Sequence, residues 1–293
     1  MPTRTTIGNL GTPSCNKQTG KPIKFIKVAK KDSTGALNFV PSGTTIDQTF
    51  LDGKIRNLDL TQRWYMSPSF KNFDSPKEDP IYQTFGDGSK SFLREGLRTF
   101  TGDFIELGSD FLCYLKPLDC KDECFYIVTE KNNLVGYDPT GSGNLYPMPM
   151  EELVTKLNMA KDDSVESVMF TIDIPITLLD CQMKTVYDST ADFVNTNGLI
   201  QMEAVASSPT GTGYSVTMTV YGMPYTALDA TDITGYDETA SASIAVTSIT
   251  GGSNGTYVIA FTSPTSTNVV RTEETAVLTA KGFSFQAVTE TIA

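Results

Sequence analysis

Five cysteines are the first residues in this chain whose type could do chemistry: Cys15, Cys113, Cys120, Cys124 and Cys181. Four converging thiolates hold zinc, and Cys113, Cys120, Cys124 and Cys181 would supply that number. Six residues separate Cys113 from Cys120 and three separate Cys120 from Cys124, a wider spacing than the two-residue knuckle of zinc folds. Free thiols are therefore the expected state, and an odd cysteine count argues against a disulfide framework. The chain contains no histidine. That removes the commonest general base and metal ligand, and with it the Ser-His-Asp and Cys-His mechanisms.

The remaining polar clusters have ordinary readings. Asp229, Asp232, Asp237 and Glu238 form an oxygen cluster of the kind that can hold calcium, but their spacing matches no EF-hand loop and turn-forming aspartates are the simpler reading. Glu151-Glu152 and Asp162-Asp163 fall where a helix would begin and just after its end. "GDGSKS" at 86–91 and "PTGSGN" at 139–144 lack the spacing of a phosphate-binding loop. Trp64 and Tyr65 could stack on a sugar, yet a core or subunit-contact role suits such a pair better. No catalytic residue, metal or cofactor is expected, and an enzyme is the least favoured class.

The elements that would position these residues read mainly as β. "IKFIKVAKK" and "ALNFVPSG" flank "DSTG" and predict a hairpin turning at Gly35. Residues 67–90 hold three prolines and a Gly-Asp-Gly turn, which predicts a long loop, followed by a long strand over 91–107 bulged at Gly96. A short helix is predicted over "GSDFLCYLKPL", capped by Ser109 or Asp110 and stopped by Pro117. "CFYIVTEKNNLVGYDP" predicts a hairpin, and "PMEELVTKLNMA", with Leu153 and Leu157 four apart, an amphipathic helix. Val168, Phe170, Ile172, Ile174 and Ile176 alternate as in a strand buried on one face, which Pro175 places at an edge or breaks. "STADFVNTNGLIQMEAV" then closes the first domain with a last strand.

Length and charge set the organisation. At 293 residues the chain suits two domains. Residues 1–20, rich in Thr, Gly and Pro, read as an extended N-terminal arm with no secretory leader or membrane anchor, so a soluble protein made in the cytoplasm is expected. Residues 1–100 carry 15 Lys or Arg against 9 Asp or Glu, residues 101–202 carry 6 against 17, and residues 203–293 carry 2 against 8. Such a gradient would let copies stack head to tail, basic part on acidic part, although an unevenly charged solvated surface explains it equally well. Specific nucleic-acid reading is disfavoured, because "KPIKFIKVAKK" is the single short basic stripe.

From Glu203 onward lysine and arginine nearly vanish and Thr, Ser, Ala and Gly take over, which marks a domain boundary. "YSVTMTVYG", "ASIAVTSI", "GTYVIAFTSP", "TAVLTAK" and "FSFQAVTE" read as short strands separated by turns at "GMPY", "GYDE", "TGGSNG" and "KG", the pattern of a β-sandwich. Residues 203–293, with the strand start Gly255-Thr256-Tyr257, resemble bacterial immunoglobulin-like domains of the invasin and filamin type, although the Cys pair and core Trp of antibody domains are missing. That resemblance implies that Tyr257 and Phe261 face a core.

The sum is an antiparallel β-sandwich or barrel domain over 21–202 with one or two helices and the loop 67–90, followed by an immunoglobulin-like β-sandwich over 203–293. This arrangement resembles the major tail tube proteins of long-tailed bacteriophages. The resemblance implies a structural virion protein, synthesised in the host cytoplasm, that forms homo-oligomeric rings, hexamers in that family. Those rings stack head to tail around a channel through which DNA passes without specific binding, and they meet other tail proteins. In that reading the arm and the 67–90 loop bridge rings, and the sandwich faces outward. A capsid decoration or tail-adaptor subunit, or a carbohydrate-binding or adhesive surface protein, are the alternatives.

Overall fold

The computed structural model describes residues 20–115, 123–162, 165–175, 177–178, 182–186, 189–262 and 267–292, and the fold is mainly β. The first module contains β1 (Pro22–Ala29), α1 (Gln48–Ile55), β2 (Tyr65–Met66), β3 (Lys71–Asp74), β4 (Ile81–Thr84), β5 (Lys90–Arg94), β6 (Arg98–Ile105) and α2 (Ser109–Leu115). It continues with β7 (Glu123–Thr129), β8 (Leu134–Tyr137), β9 (Met148–Pro149), β10 (Glu152–Asn158), β11 (Ser167–Ile174) and β12 (Met183–Val186). The second contains β13 (Ile200–Thr210), β14 (Gly213–Val220), β15 (Met223–Pro224), β16 (Ile233–Asp237), β17 (Ala242–Ile244), β18 (Val246–Gly251), β19 (Thr256–Phe261), β20 (Val269–Glu274), α3 (Ala276–Ala280), β21 (Phe283–Phe285) and β22 (Val288–Thr291).

Two larger sheets and the separate two-stranded β4–β5 sheet build the first module. One of the larger sheets runs β12-β8-β7-β1-β2 with β9 added to β7, the other β10-β11-β6-β3. Strand β7 is buried on both faces, as its unbroken apolar run "CFYIV" requires. Phe125 and Ile127 point into a core shared with Phe100, Phe104, Phe170 and Ile172 of the second sheet. Tyr126 and Val128 point the other way, onto Leu51 and Ile55 of α1 and onto Trp64. Asp47 caps α1 by accepting the Phe50 N–H at 2.8 Å. The second sheet is covered on one face only, so β11 alternates strictly between buried and half-buried positions. Pro175 stands just past its end, and β11 lies inside the sheet, not at an edge.

The second module is a β-sandwich. Its sheets are β18-β19-β14-β13-β21, with β15 on β14, and β17-β16-β20-β22. Tyr214, Val216, Tyr257, Ile259 and Phe261 from one sheet meet Ile233, Val270 and Ile292 from the other side. Tyr257 and Phe261 face this core, as the strand start at Gly255 implied.

Several sequence expectations are corrected. Residues 149–160 are not a helix: Glu152–Asn158 pairs with β11 from Glu152↔Asp173 to Asn158↔Ser167. A separation of four residues satisfies a strand's period of two as well as a helical turn, so Leu153 and Leu157 could not decide between them. The 67–90 segment is no continuous loop, because its prolines fall between short strands. The long strand over 91–107 is two, β5 and β6, parted at Gly96, where a Cβ would sit 1.8 Å from the Glu78 carbonyl oxygen. The turn at Gly35 forms, but "ALNFV" contributes only the isolated bridges Lys31↔Leu37 and Val40↔Leu145. Both edges of β1 are already taken by β7 and β2. In the second module "TAVLTAK" is helix α3, capped by Thr275, and "GYDE" lies largely within β16. Strand β13, assigned from sequence to the close of the first domain, pairs with β14 and β21 of the sandwich.

Candidate assembly surface

The structure disperses the residues singled out for chemistry. Cys113 is exposed on α2 and Cys124 is buried in β7, while Cys15, Cys120 and Cys181 fall outside the described residues. Among the described residues no group of three or more His, Cys, Asp or Glu side chains is placed to hold a metal. The aspartate cluster is spent on the protein itself. Asp232 is buried against the Lys281 ammonium at 2.8 Å and accepts the Asp229 N–H at 2.8 Å. Asp237 accepts the backbone N–H groups of Ala240 and Thr239 and the Asn268 side chain, an arrangement that lowers its pKa, and Glu238 pairs with Arg271. Glu151 and Glu152 lie exposed at the start of β10, whereas Asp163 is outside the described residues. Both glycine-rich stretches are turns. In one, Asp87 accepts the Ser89 N–H, and in the other Asp138 accepts those of Gly143 and Ser142.

Trp64 is a core residue. Its ring lies 5.6 Å from Phe50 and 5.1 Å from Tyr126, so it has no face to offer a sugar.

What the fold does present is a projecting ribbon. Beyond the β3–β6 pair the two chains stay together through the Lys77↔Arg98 bridge and the Lys77–Glu95 ion pair at 3.2 Å, then continue as the β4–β5 hairpin. From Lys77 to Thr84 a strand rises roughly 20 Å at about 3.3 Å per residue. Every residue of β4 and β5 is exposed. Ile81, Tyr82, Phe85, Phe92 and Leu93 keep between 38% and 56% of their surface in water. Phe92 and Leu93 are consecutive in a strand and so point to opposite faces. Among the described residues the one aromatic ring that Tyr82 meets is that of its cross-strand neighbour Phe92, edge to face at 5.8 Å.

A second surface lies beside it, the uncovered face of the β10-β11-β6-β3 sheet. The register brings Thr99 opposite Asp173, Thr101 opposite Thr171, and Asp103 opposite Met169. Glu152, Val154 and Lys156 continue these rows on β10. Thr99 Oγ1 donates to Asp173 at 2.9 Å and Asn72 donates to Asp103 at 2.9 Å. The face carries the carboxylates of Asp103, Glu152 and Asp173 and the ammonium groups of Lys156 and Lys71, with Val154 and Met169 as apolar members of the same rows. Strand β10 ends the sheet, so among the described residues its outer edge pairs with no other strand.

The sequence held a signal for the first arm of the ribbon: "IYQT", placed in the 67–90 loop, precedes the Gly-Asp-Gly turn as "KSFLR" follows it, the pattern of a hairpin. It held none for Arg63, which is 1% exposed and forms a buried ion pair with Glu274, 211 residues away in sequence. A charged side chain in a turn is ordinarily solvated, and nothing local marks the exception. Compared with known families and curated proteins, the chain matches no family model and no curated protein.

Proposed function

We propose that this chain is a structural, self-assembling subunit of the kind that builds the tail tube of long-tailed bacteriophages, forming rings around a channel and carrying the sandwich as an appended module. The observation that carries the reading is the β4–β5 ribbon. A lone two-stranded hairpin with large apolar groups on both faces is marginal in water, and side chains such as Phe92 and Leu93 gain about 25 cal/mol for each Å² of apolar surface they bury. A neighbouring copy is the partner that every subunit of a homopolymer has to hand. The open edge of β10 offers backbone donors and acceptors to a further strand. The carboxylates at Asp103, Glu152 and Asp173 suit a channel wall that does not hold the phosphates of passing DNA.

The test is negative-stain electron microscopy of the purified chain over a concentration series. Rings or tubes are the expected result, and a strict monomer at high concentration overturns the reading. Rings that fail to stack would favour a decoration or adaptor role.

A further inference from the structure

The passage from the first module to the second is tied down almost residue by residue. The amides of Thr190 and Ala191 donate to the Ile46 carbonyl at 3.0 and 3.2 Å. Asn132 grips the next turn from both ends of its amide, donating to the Ala191 carbonyl at 2.5 Å and accepting the Phe193 N–H at 2.8 Å. Lys24, itself buried, donates to the carbonyls of Val194 and Thr196 at 2.6 and 3.1 Å. By Ile200 the chain already belongs to the sandwich, its N–H donating to the Gly282 carbonyl at 2.8 Å. Any hinge would have to act within 197–199. Even there Gly198 packs on the Met66 backbone, where an added Cβ would stand 3.3 Å from the amide nitrogen.

Arg63 crosses this gap. Its Nε donates to the Asn57 carbonyl at 2.6 Å inside the first module, one terminal nitrogen donates to Ser284 Oγ at 2.7 Å, and the other pairs with the Glu274 carboxylate. Glu274 is held in turn, accepting the Phe285 N–H at 3.0 Å. We infer that Arg63 and Glu274 form an orientation lock, which makes the sandwich a rigid extension of the first module and not a tethered decoration. A greasy contact between modules would tolerate sliding. A planar guanidinium with partners on both sides has one satisfying geometry, and a buried charge left without its partner is strongly disfavoured. The inference concerns the single subunit and holds whether or not subunits assemble.

The full-length chain tests it through three readouts: solution X-ray scattering, thermolysin cleavage before Leu199 and Ile200, and the fluorescence of Trp64, the single tryptophan, which adjoins Arg63. The wild type should fit one rigid shape and resist cleavage at 197–199. Arg63→Met leaves Glu274 buried and unpaired. It should raise the cleavage rate there on the order of a hundredfold and shift Trp64 emission to the red. The double variant Arg63→Met/Glu274→Leu removes both charges, so its melting temperature should stay close to the wild type while its scattering requires a spread of module orientations. A double variant that still fits one rigid shape and stays protease-resistant overturns the lock, as does a wild type that fits only an ensemble.

Discussion

The interior of the C-terminal sandwich and the β4–β5 ribbon treat aromatic side chains in opposite ways. In the sandwich Tyr257 is buried and its hydroxyl is used twice, donating to the Tyr225 carbonyl at 2.7 Å and accepting the Leu228 N–H at 3.1 Å. Tyr214 lies 2.5 Å from Thr272 Oγ1, and burial pushes its phenol up to about 12. On the ribbon, Tyr82 and Phe92 pack their rings on each other while each stays about half exposed. The core of the sandwich covers Tyr214 and Tyr257 and satisfies their hydroxyls within the chain, although Tyr221 in the β14–β15 turn stays exposed. A ribbon that leaves Tyr82 and Phe92 about half exposed gains little burial free energy within the chain. The same chain thus contains a finished fold and an unfinished surface.

The contrast breaks most sharply in the core beneath the ribbon. Phe170 packs on Phe25, Phe70 and Phe104 at centroid distances of 5.7, 5.0 and 5.1 Å. Phe170→Ala should cost about 3–5 kcal/mol, read as a lowered denaturant midpoint by Trp64 fluorescence. A loss below about 1 kcal/mol would mean that this core is looser than its packing implies. In the sandwich, Tyr257→Phe keeps the ring and strands the Leu228 amide and Tyr225 carbonyl. Its expected cost is about 1–3 kcal/mol, measured by chemical denaturation. An unchanged midpoint would show that water replaces the hydroxyl.

Acid should weaken both modules. Donors from Thr34, Thr61 and Asn195 hold Asp32, Asp59 and Asp192 below the ordinary carboxylate range in the first module, and the Ala240 amide foremost holds Asp237 there in the second. A folded pKa lower than the unfolded one contributes stability above the unfolded value, 3.8 for aspartate, and loses it as pH falls through the folded one. Melting followed from pH 5 to pH 2 should therefore fall mainly below about pH 4. Asp237→Asn should flatten the part of that fall reported by sandwich tyrosines. Coincident tryptophan and tyrosine transitions would sharpen the picture of one locked unit, and separate transitions would divide it.

The smallest effect on stability belongs to the ribbon itself. Phe92→Ser with Leu93→Ser should move the unfolding free energy by no more than about 0.5 kcal/mol while abolishing the concentration-dependent growth in light scattering that the proposed self-assembly predicts for the unaltered chain. Assembly that persists in this variant would place the self-contact elsewhere, with the β10 edge as the next surface to test.

The residues that were legible in sequence share one property: their partners are near or their pattern is unambiguous. Val168 to Ile174 alternates cleanly and is β11, the apolar runs around "EKNN" are β7 and β8, and α2 starts at Ser109. Where one spacing fits two periods, local reading failed. Leu153 and Leu157 became a strand because β11 offered an unpaired edge, and Ala276–Ala280 became a helix although "TAVLTAK" alternates. The candidate surface was half legible. The turn at Gly86–Gly88 and the arm from Ser91 to Arg94 were legible, but the arm Ile81–Thr84 was not, because an exposed strand lacks the buried face that gives alternation its meaning.

By itself, then, the sequence determined a β-rich chain with a change of composition near Glu203, turns such as those at Gly35 and Gly86–Gly88, and no histidine with which to build the commonest catalytic sites. Those are properties of residue types and of neighbours within a few positions. Only the tertiary structure decided that Arg63 meets Glu274, that the strand opening at Ile200 belongs to the sandwich, and that the β4–β5 ribbon stands clear of the core. Each depends on which distant segments occupy the edges and faces of a sheet, and that competition is resolved by long-range pairing and burial, which no short window of sequence contains.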